Sequence, residues 1–141
     1  MKHFVSELTI STAQNIEFID ITERVQTLVQ ESGINRGLVN IVTRHTTTGV
    51  KLNEHCLRLQ KDMQNMLSEI APAGKAYQHN EQTVDGRPNA HSHLMSLLLG
   101  STECVPVIDG QLNLGKWQTI FFIEFDGPRP SREITITVIG E

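Results

Sequence analysis

A succession of short β-patterned stretches, punctuated by turns, most constrains how this chain can fold. The pattern is clearest near the end. Asp109-Gly110 sits between Glu103–Ile108 and Gln111–Leu114, and an Asp-Gly pair between such stretches signals a tight hairpin. Trp117 to Phe125 is a long apolar strand, Asp126-Gly127-Pro128-Arg129-Pro130 turns the chain, and Arg132 to Ile139 alternates apolar and polar residues. Earlier, residues 3–10, residues 15–20, Gly37 to Arg44 and the short stretch around Val50 and Leu52 also read as strands.

Two segments change period. Ile21, Val25, Leu28 and Val29 recur at helical spacing, opened by an Asp20/Glu23 capping pattern and closed by Gly33. From Glu54 onward, Cys56, Leu59, Met63, Met66, Leu67 and Ile70 mark one face of a second helix, read as core packing, with Asn53 as its cap. A shorter helix is predicted over Leu94 to Leu99, stopping at Gly100. Strand–helix alternation does not persist, which argues against a doubly wound parallel sheet. The expected class is α+β, with antiparallel sheets packed as a sandwich and two main helices. Residues 1–141 form one domain, with no internal repeat or linker.

A net charge of −4 argues against a general nucleic-acid binder, which should be basic. No apolar run approaches the roughly 20 residues that span a bilayer, and no signal-peptide core is visible, so the cytoplasm is the expected location. Cys56 and Cys104 form no Cys-x-x-Cys pair and fit reduced thiols.

Histidine carries the chemical signal. Four of the six histidines, His45, His79, His91 and His93, lie in polar, turn-like surroundings. Imidazole titrates near neutral pH and is the commonest metal ligand. His45 precedes Thr46-Thr47-Thr48-Gly49; such a turn either holds phosphate oxygens or satisfies its own backbone. Residues 74–90 form a loop nearly free of apolar side chains, which contains His79 and leads to His91-Ser92-His93. If extended, that pair would point to one side. At a helix start the two rings diverge by roughly 200° and only one serves. His45, His79 and His93, with His91 as a fourth candidate, permit a three-nitrogen cage for a divalent metal, zinc first, with a position left open.

Other positions carry two readings each. Asn53 and Glu54 either contact a ligand or open a helix. Glu124 interrupts Ile120–Phe125; a carboxylate there reaches the rim or meets a cation or histidine, because burial without a partner is costly. Gln118 could point into a pocket. Arg129 and Arg132 flank the Pro-rich turn, and their guanidinium forks suit phosphate or stay solvated.

Taken together, His45-Thr46-Thr47-Thr48-Gly49, Asn53-Glu54, Tyr77-x-His79, Ser92-His93-Leu94, Leu98-Leu99-Gly100, Gly115-Lys116-Trp117-Gln118 and Glu124-Phe125-Asp126-Gly127-Pro128-Arg129 resemble the YjbQ family over nearly the whole chain. The resemblance implies a compact α+β fold, a homotrimer and a polar cleft where the histidine motifs converge. It matches His45, His79, His93, Asn53, Glu54, Gln118 and Glu124 to recurring positions. It also implies a thiamine-phosphate synthase activity, weak or secondary, that joins hydroxymethylpyrimidine diphosphate to thiazole phosphate and releases pyrophosphate. In that chemistry His45, Glu54, His93 and Glu124 are the candidate catalytic groups, and Thr46, Thr47, Asn53, Gln118 and Arg129 the candidate substrate contacts. Two further readings are a metal-dependent hydrolase of a small phosphorylated substrate and a non-enzymatic trimeric binding protein.

Overall fold

A computed structural model describes all residues from Met1 to Glu141. Eight strands and three helices follow in order. They are β1 (Lys2–Thr12), β2 (Glu17–Asp20), α1 (Thr22–Ser32), β3 (Arg36–Thr43), β4 (Thr48–Asn53), α2 (Leu57–Ile70), α3 (Ala90–Leu99), β5 (Thr102–Ile108), β6 (Gln111–Leu112), β7 (Thr119–Glu124) and β8 (Arg129–Gly140). The expected α+β class with two antiparallel sheets is observed. A five-stranded sheet has the order β1-β8-β3-β5-β6 and a three-stranded sheet the order β2-β7-β4.

Local chemistry explains the punctuation. Asp109 and Gly110 both take positive φ, 52° and 74°, as a two-residue hairpin turn requires. Asp20 Oδ1 accepts the Thr22 N–H (2.9 Å) and so serves the first turn of α1. Gly33 ends α1 in the left-handed region at φ 61°.

The main core lies between the sheets. Leu8, Ile10, Val39, Ile41, Val105, Ile134, Ile136 and Val138 of the large sheet meet Val50, Ile120 and Phe122 of the small one, with Val25 and Val29 of α1 filling the side. Alternation then sends Phe121 and Ile123 to the other face of the small sheet, where they join Leu67 of α2 and Met95 of α3 in a second cluster.

Three expectations need correction here. The helix begun at Glu54 starts instead at Leu57, with Cys56 in the cap position, so Asn53 does not cap it. Asn53 Oδ1 accepts only the adjacent Glu54 N–H (2.8 Å). The methionine stripe is less buried than core packing requires: Leu67 is the one buried residue of α2, and Met66 is half exposed. The third helix starts four residues earlier than expected, at Ala90, and takes His91 and His93 with it.

Two of the chain's crossings between the sheets lie together at one end of the sandwich. Residues 44–47 lead from β3 to β4, and residues 125–128 lead from β7 to β8. These crossovers are bound together: the Phe125 N–H donates to the Thr47 carbonyl (3.0 Å). The candidate site sits on this seam.

Candidate functional site

His45 lies on the first crossover. The Thr43 and Thr48 hydroxyls meet at 2.6 Å, and Thr48 Oγ1 donates to the His45 carbonyl (3.3 Å), which ties the two ends of the turn. The ring is held from outside its own loop: the Glu133 N–H of β8 donates to His45 Nε2 (2.8 Å). A peptide N–H can only donate, so Nε2 must be the unprotonated nitrogen and Nδ1 carries the proton. Burial, then the neighbouring Arg132 guanidinium, holds the His45 pKa below its ordinary 6.5. That shift agrees in direction with the hydrogen bond, which requires a neutral ring.

His93 reaches the same place from α3. Ser92 Oγ donates to the Phe125 carbonyl (2.6 Å) and Ser96 Oγ to the Thr48 carbonyl (2.7 Å), so one face of α3 is fastened to the small sheet beside both crossovers. His93, Ser96, Leu97 and Gly100 follow at helical spacing and line one side of a groove. His45 and Thr46 line the other, with Ser101 at its end. The groove has a volume of about 390 Å³. No carboxylate lines it.

A second recess of about 340 Å³ lies on the other side of His93, lined also by Tyr77, Gln78, His79, Ala90 and Leu94. The His79 and His93 rings meet edge to face, with centroids 4.8 Å apart. His79 Nε2 is 3.3 Å from Asn89 Oδ1. Asn89 Nδ2 donates to Asp126 Oδ2 (2.8 Å). That fixes the Asn89 amide and makes His79 Nε2 the donor. Burial, then the nearby His79, lowers the His93 pKa below 6.5.

His91 follows the helical alternative: it lines neither recess, and its Nδ1 is buried without a hydrogen-bond partner. The three-nitrogen cage does not form within the chain. No group of three or more His, Cys, Asp or Glu side chains is placed to hold a metal ion. His45 Nε2 is already engaged and its other nitrogen carries a proton, so the residues present do not fit a zinc centre.

Glu124 meets a cation, as its burial demanded. It is fully buried. Arg132 Nε donates to its Oε2 (2.7 Å) and Arg132 Nη2 to its Oε1. Thr12 Oγ1 donates to Oε2 (3.0 Å), and the Phe125 and Asp126 N–H groups donate to Oε1 (3.1 and 3.0 Å). Every lone-pair direction of the carboxylate is taken, so of the two readings Glu124 follows the paired one and acts as a clamp. Arg132 also donates to Thr47 Oγ1 (2.9 Å), which occupies that hydroxyl and binds the clamp to the His45 turn. Arg129 is committed in the same way, through Nη2 to Asp126 Oδ2 (2.6 Å) and Nε to the Asp126 carbonyl (3.0 Å).

Asn53, Glu54 and Gln118 lie elsewhere. Thr48 pairs with Glu124 and Asn53 with Thr119, at opposite ends of β4 and β7. Five strand steps separate them, about 17 Å. Gln118 Oε1 closes its own turn on the Gly115 N–H (2.8 Å). One chain therefore brings His45, Thr46, His79 and His93 together and leaves Asn53, Glu54 and Gln118 at the far end of the small sheet. Sequence reasoning missed Asn89, Asp126, Ser92 and Ser96. The clustering of Asn and Ser around the two histidines of α3 is the signal that could have found them.

Fold and groove define an α+β sandwich with histidines gathered where its sheets exchange strands. The chain belongs to the UPF0047 protein YjbQ-like family, whose model matches residues 6–141. A UPF0047 protein of Methanothermobacter thermautotrophicus is 42% identical over 141 residues, covering 100% of this chain and 95% of that protein. One from Archaeoglobus fulgidus is 44% identical over 128 residues, 91% of this chain and 96% of that protein. The crystal structure of a YbjQ-like protein of unknown function from Sulfolobus solfataricus superposes with a TM-score of 0.94 at 37% identity, covering 99% of both chains.

Proposed function

We propose that this protein is an enzyme acting on a phosphorylated small molecule at the groove between His45 and His93, and that thiamine-phosphate synthesis is a reaction it performs. The observation that carries the reading is the convergence of His45 and Thr46 from one crossover with His93 from α3 on a single groove free of carboxylates. A diphosphate leaving group needs hydrogen-bond donors as the bond to carbon breaks. Neutral imidazoles and the Thr46 hydroxyl are donors of that kind. In the reaction the thiazole nitrogen attacks the hydroxymethyl carbon, a C–N bond forms, the C–O bond breaks and pyrophosphate departs with the bonding electrons.

The test is an assay of purified protein with both phosphorylated precursors, with and without added divalent metal. Thiamine phosphate should form, and His45→Ala and His93→Ala should each lower the rate by about 10²-fold or more while the fold persists. No product above background in any condition ends the assignment.

We infer also that copies of the chain associate, as a homotrimer. α3 carries no Asp, Glu, Lys or Arg, and its Leu94, Leu97 and Leu98 are exposed, Leu97 by 78%. Contiguous exposed leucines beside a groove support a subunit contact. Sedimentation should give three times the chain mass, and Leu97→Glu should release monomers. A monomeric parent protein would refute this.

A further inference from the structure

We propose that the groove is a metal-independent anion site in which the Nδ1–H of His45 donates directly to a phosphoryl oxygen, with the backbone N–H of Glu133 as the group that positions it. The inference deepens the functional reading above and rests on it for the identity of the ligand as a phosphorylated group.

Three observations lead here. The Glu133 N–H occupies His45 Nε2 at 2.8 Å. A neutral ring so engaged keeps its one proton on Nδ1, and Nδ1 makes no hydrogen bond within the chain. This nitrogen is therefore an unspent donor on a residue that lines the groove. Second, the other groove residues are Thr46, His93, Ser96, Leu97, Gly100 and Ser101. Hydroxyls and imidazole can face an anion, whereas a catalytic zinc ion needs three protein ligands and the groove brings only two imidazoles. Third, the Arg132 guanidinium is tied to Glu124 and Thr47, so it does not leave its clamp to meet an anion and the donor is left to the ring itself.

The peptide donor matters because its position is set by the sheet. Glu133 pairs with Thr9 on β1, and its carbonyl accepts the Arg44 N–H (3.2 Å). Its N–H and C=O thus both face the His45 turn, one residue beyond the buried Arg132. A metal ligand would need a bare nitrogen aimed at the groove. Here the nitrogen left without a partner is the protonated one.

The experiment uses the intact chain, freed of metal by chelation, with inorganic pyrophosphate as the probe. Long-range ¹H–¹⁵N NMR of labelled protein at neutral pH should show His45 Nδ1 with the protonated, pyrrole-type shift and Nε2 with the bare, pyridine-type shift. Pyrophosphate should move the Nδ1 signal. The amide nitrogen of Asn overlays Nδ1 and that of Gln overlays Nε2. His45→Asn should therefore keep the Kd within about threefold, whereas His45→Gln and His45→Ala should weaken it about ten- to hundredfold. A proton found on Nε2, binding that appears only with zinc, no pyrophosphate binding at all, or equal losses in the Asn and Ala variants would each overturn the proposal. The wild-type spectrum decides even if a variant fails to fold. A failed synthase assay with intact pyrophosphate binding would remove the assigned reaction and leave this site standing. An Nε2–H ring with an active enzyme would do the reverse.

Discussion

Glu124→Ala should cost more stability than almost any other single truncation in this protein. Glu124 is fully buried and Arg132 is 5% exposed, so neither charge has water to fall back on. Removing the carboxylate strands a guanidinium that keeps only its bond to Thr47. Breaking one half of a buried pair costs about 3–5 kcal/mol. The Asp126 N–H loses its acceptor as well, adding about 1 kcal/mol, while the Phe125 N–H retains the Thr47 carbonyl (3.0 Å). The total of about 4–6 kcal/mol is a large share of the roughly 7–20 kcal/mol expected for a chain of this length. It corresponds to a fall in Tm of about 10–20 °C. Urea unfolding followed by far-UV circular dichroism, with m unchanged, measures it. The matching double variant, Glu124→Leu with Arg132→Met, removes both charges and fills the space. It should return to within about 2 kcal/mol of the parent. A cost below about 1 kcal/mol for the single variant, or a double variant as unstable as the single one, would refute the reasoning that this pair is dry and mutually dependent.

Two further outcomes follow from the same geometry. His45 and His93 both have folded-state pKa values below 6.5, burial being the first cause in each, with Arg132 and Arg44 opposed by Glu133 and Glu124 around His45, and His79 opposed by Asp126 and Asp85 around His93. The unfolded chain therefore takes up protons first. Stability should be flat above 6.5 and fall as the pH drops through 6.5 toward the folded values, and denaturant titrations from pH 8 to 5 on the parent and on a His45→Asn/His93→Asn variant should show the slope only in the parent. Gly37→Ala would place a Cβ 2.0 Å from the Ile139 carbonyl, between β3 and β8, where backbone must move; thermal melts should register a loss of about 2 kcal/mol or more, and a neutral result would mean that the strand contact is looser than described.

The strand pattern was legible because period-two alternation and Asp-Gly chemistry are local. Strand order was not, since nothing near β8 announces that it lies between β1 and β3. The site divides the same way. That His45 and His93 belong to one place could be suspected from residue type, yet the helix that aims His93 begins at Ala90, before the apolar run that advertised it. The Ala90 N–H is met by Asn80 Oδ1 (3.1 Å), a partner ten residues away on the preceding loop. Tertiary capping of that kind leaves no periodic trace, and it is what turns His91 away from His93. Glu124 shows the converse. The cost of burying it was visible in the sequence, and so was the need for a partner. The identity of the partner depended on a turn whose geometry brings a residue eight positions on back to its side. Asn53, Glu54 and Gln118 read as site residues by type, but the register of β4 on β7 puts them at the opposite end from Thr48.

A buried ion pair is poor value as a stabiliser, since apolar residues of the same volume do as well or better. Its retention at this seam makes sense if position, and not stability, is what it supplies. Glu124 ends β7, Arg132 lies early in β8, and Thr47 closes the His45 turn, so one set of short hydrogen bonds fixes both crossovers relative to each other. Glu133 follows Arg132 directly, and its N–H is the group that sets the His45 tautomer. The geometry of the clamp is thereby transmitted, through a single peptide unit, to the choice of which imidazole nitrogen carries a proton. An apolar replacement of the pair could restore the melting temperature and still leave the Glu133 N–H misplaced. The Glu124→Leu/Arg132→Met protein should then be stable yet show His45 as a mixture of tautomers, with weaker pyrophosphate binding. Were its imidazole signals identical to those of the parent, the buried pair would have no part in positioning His45.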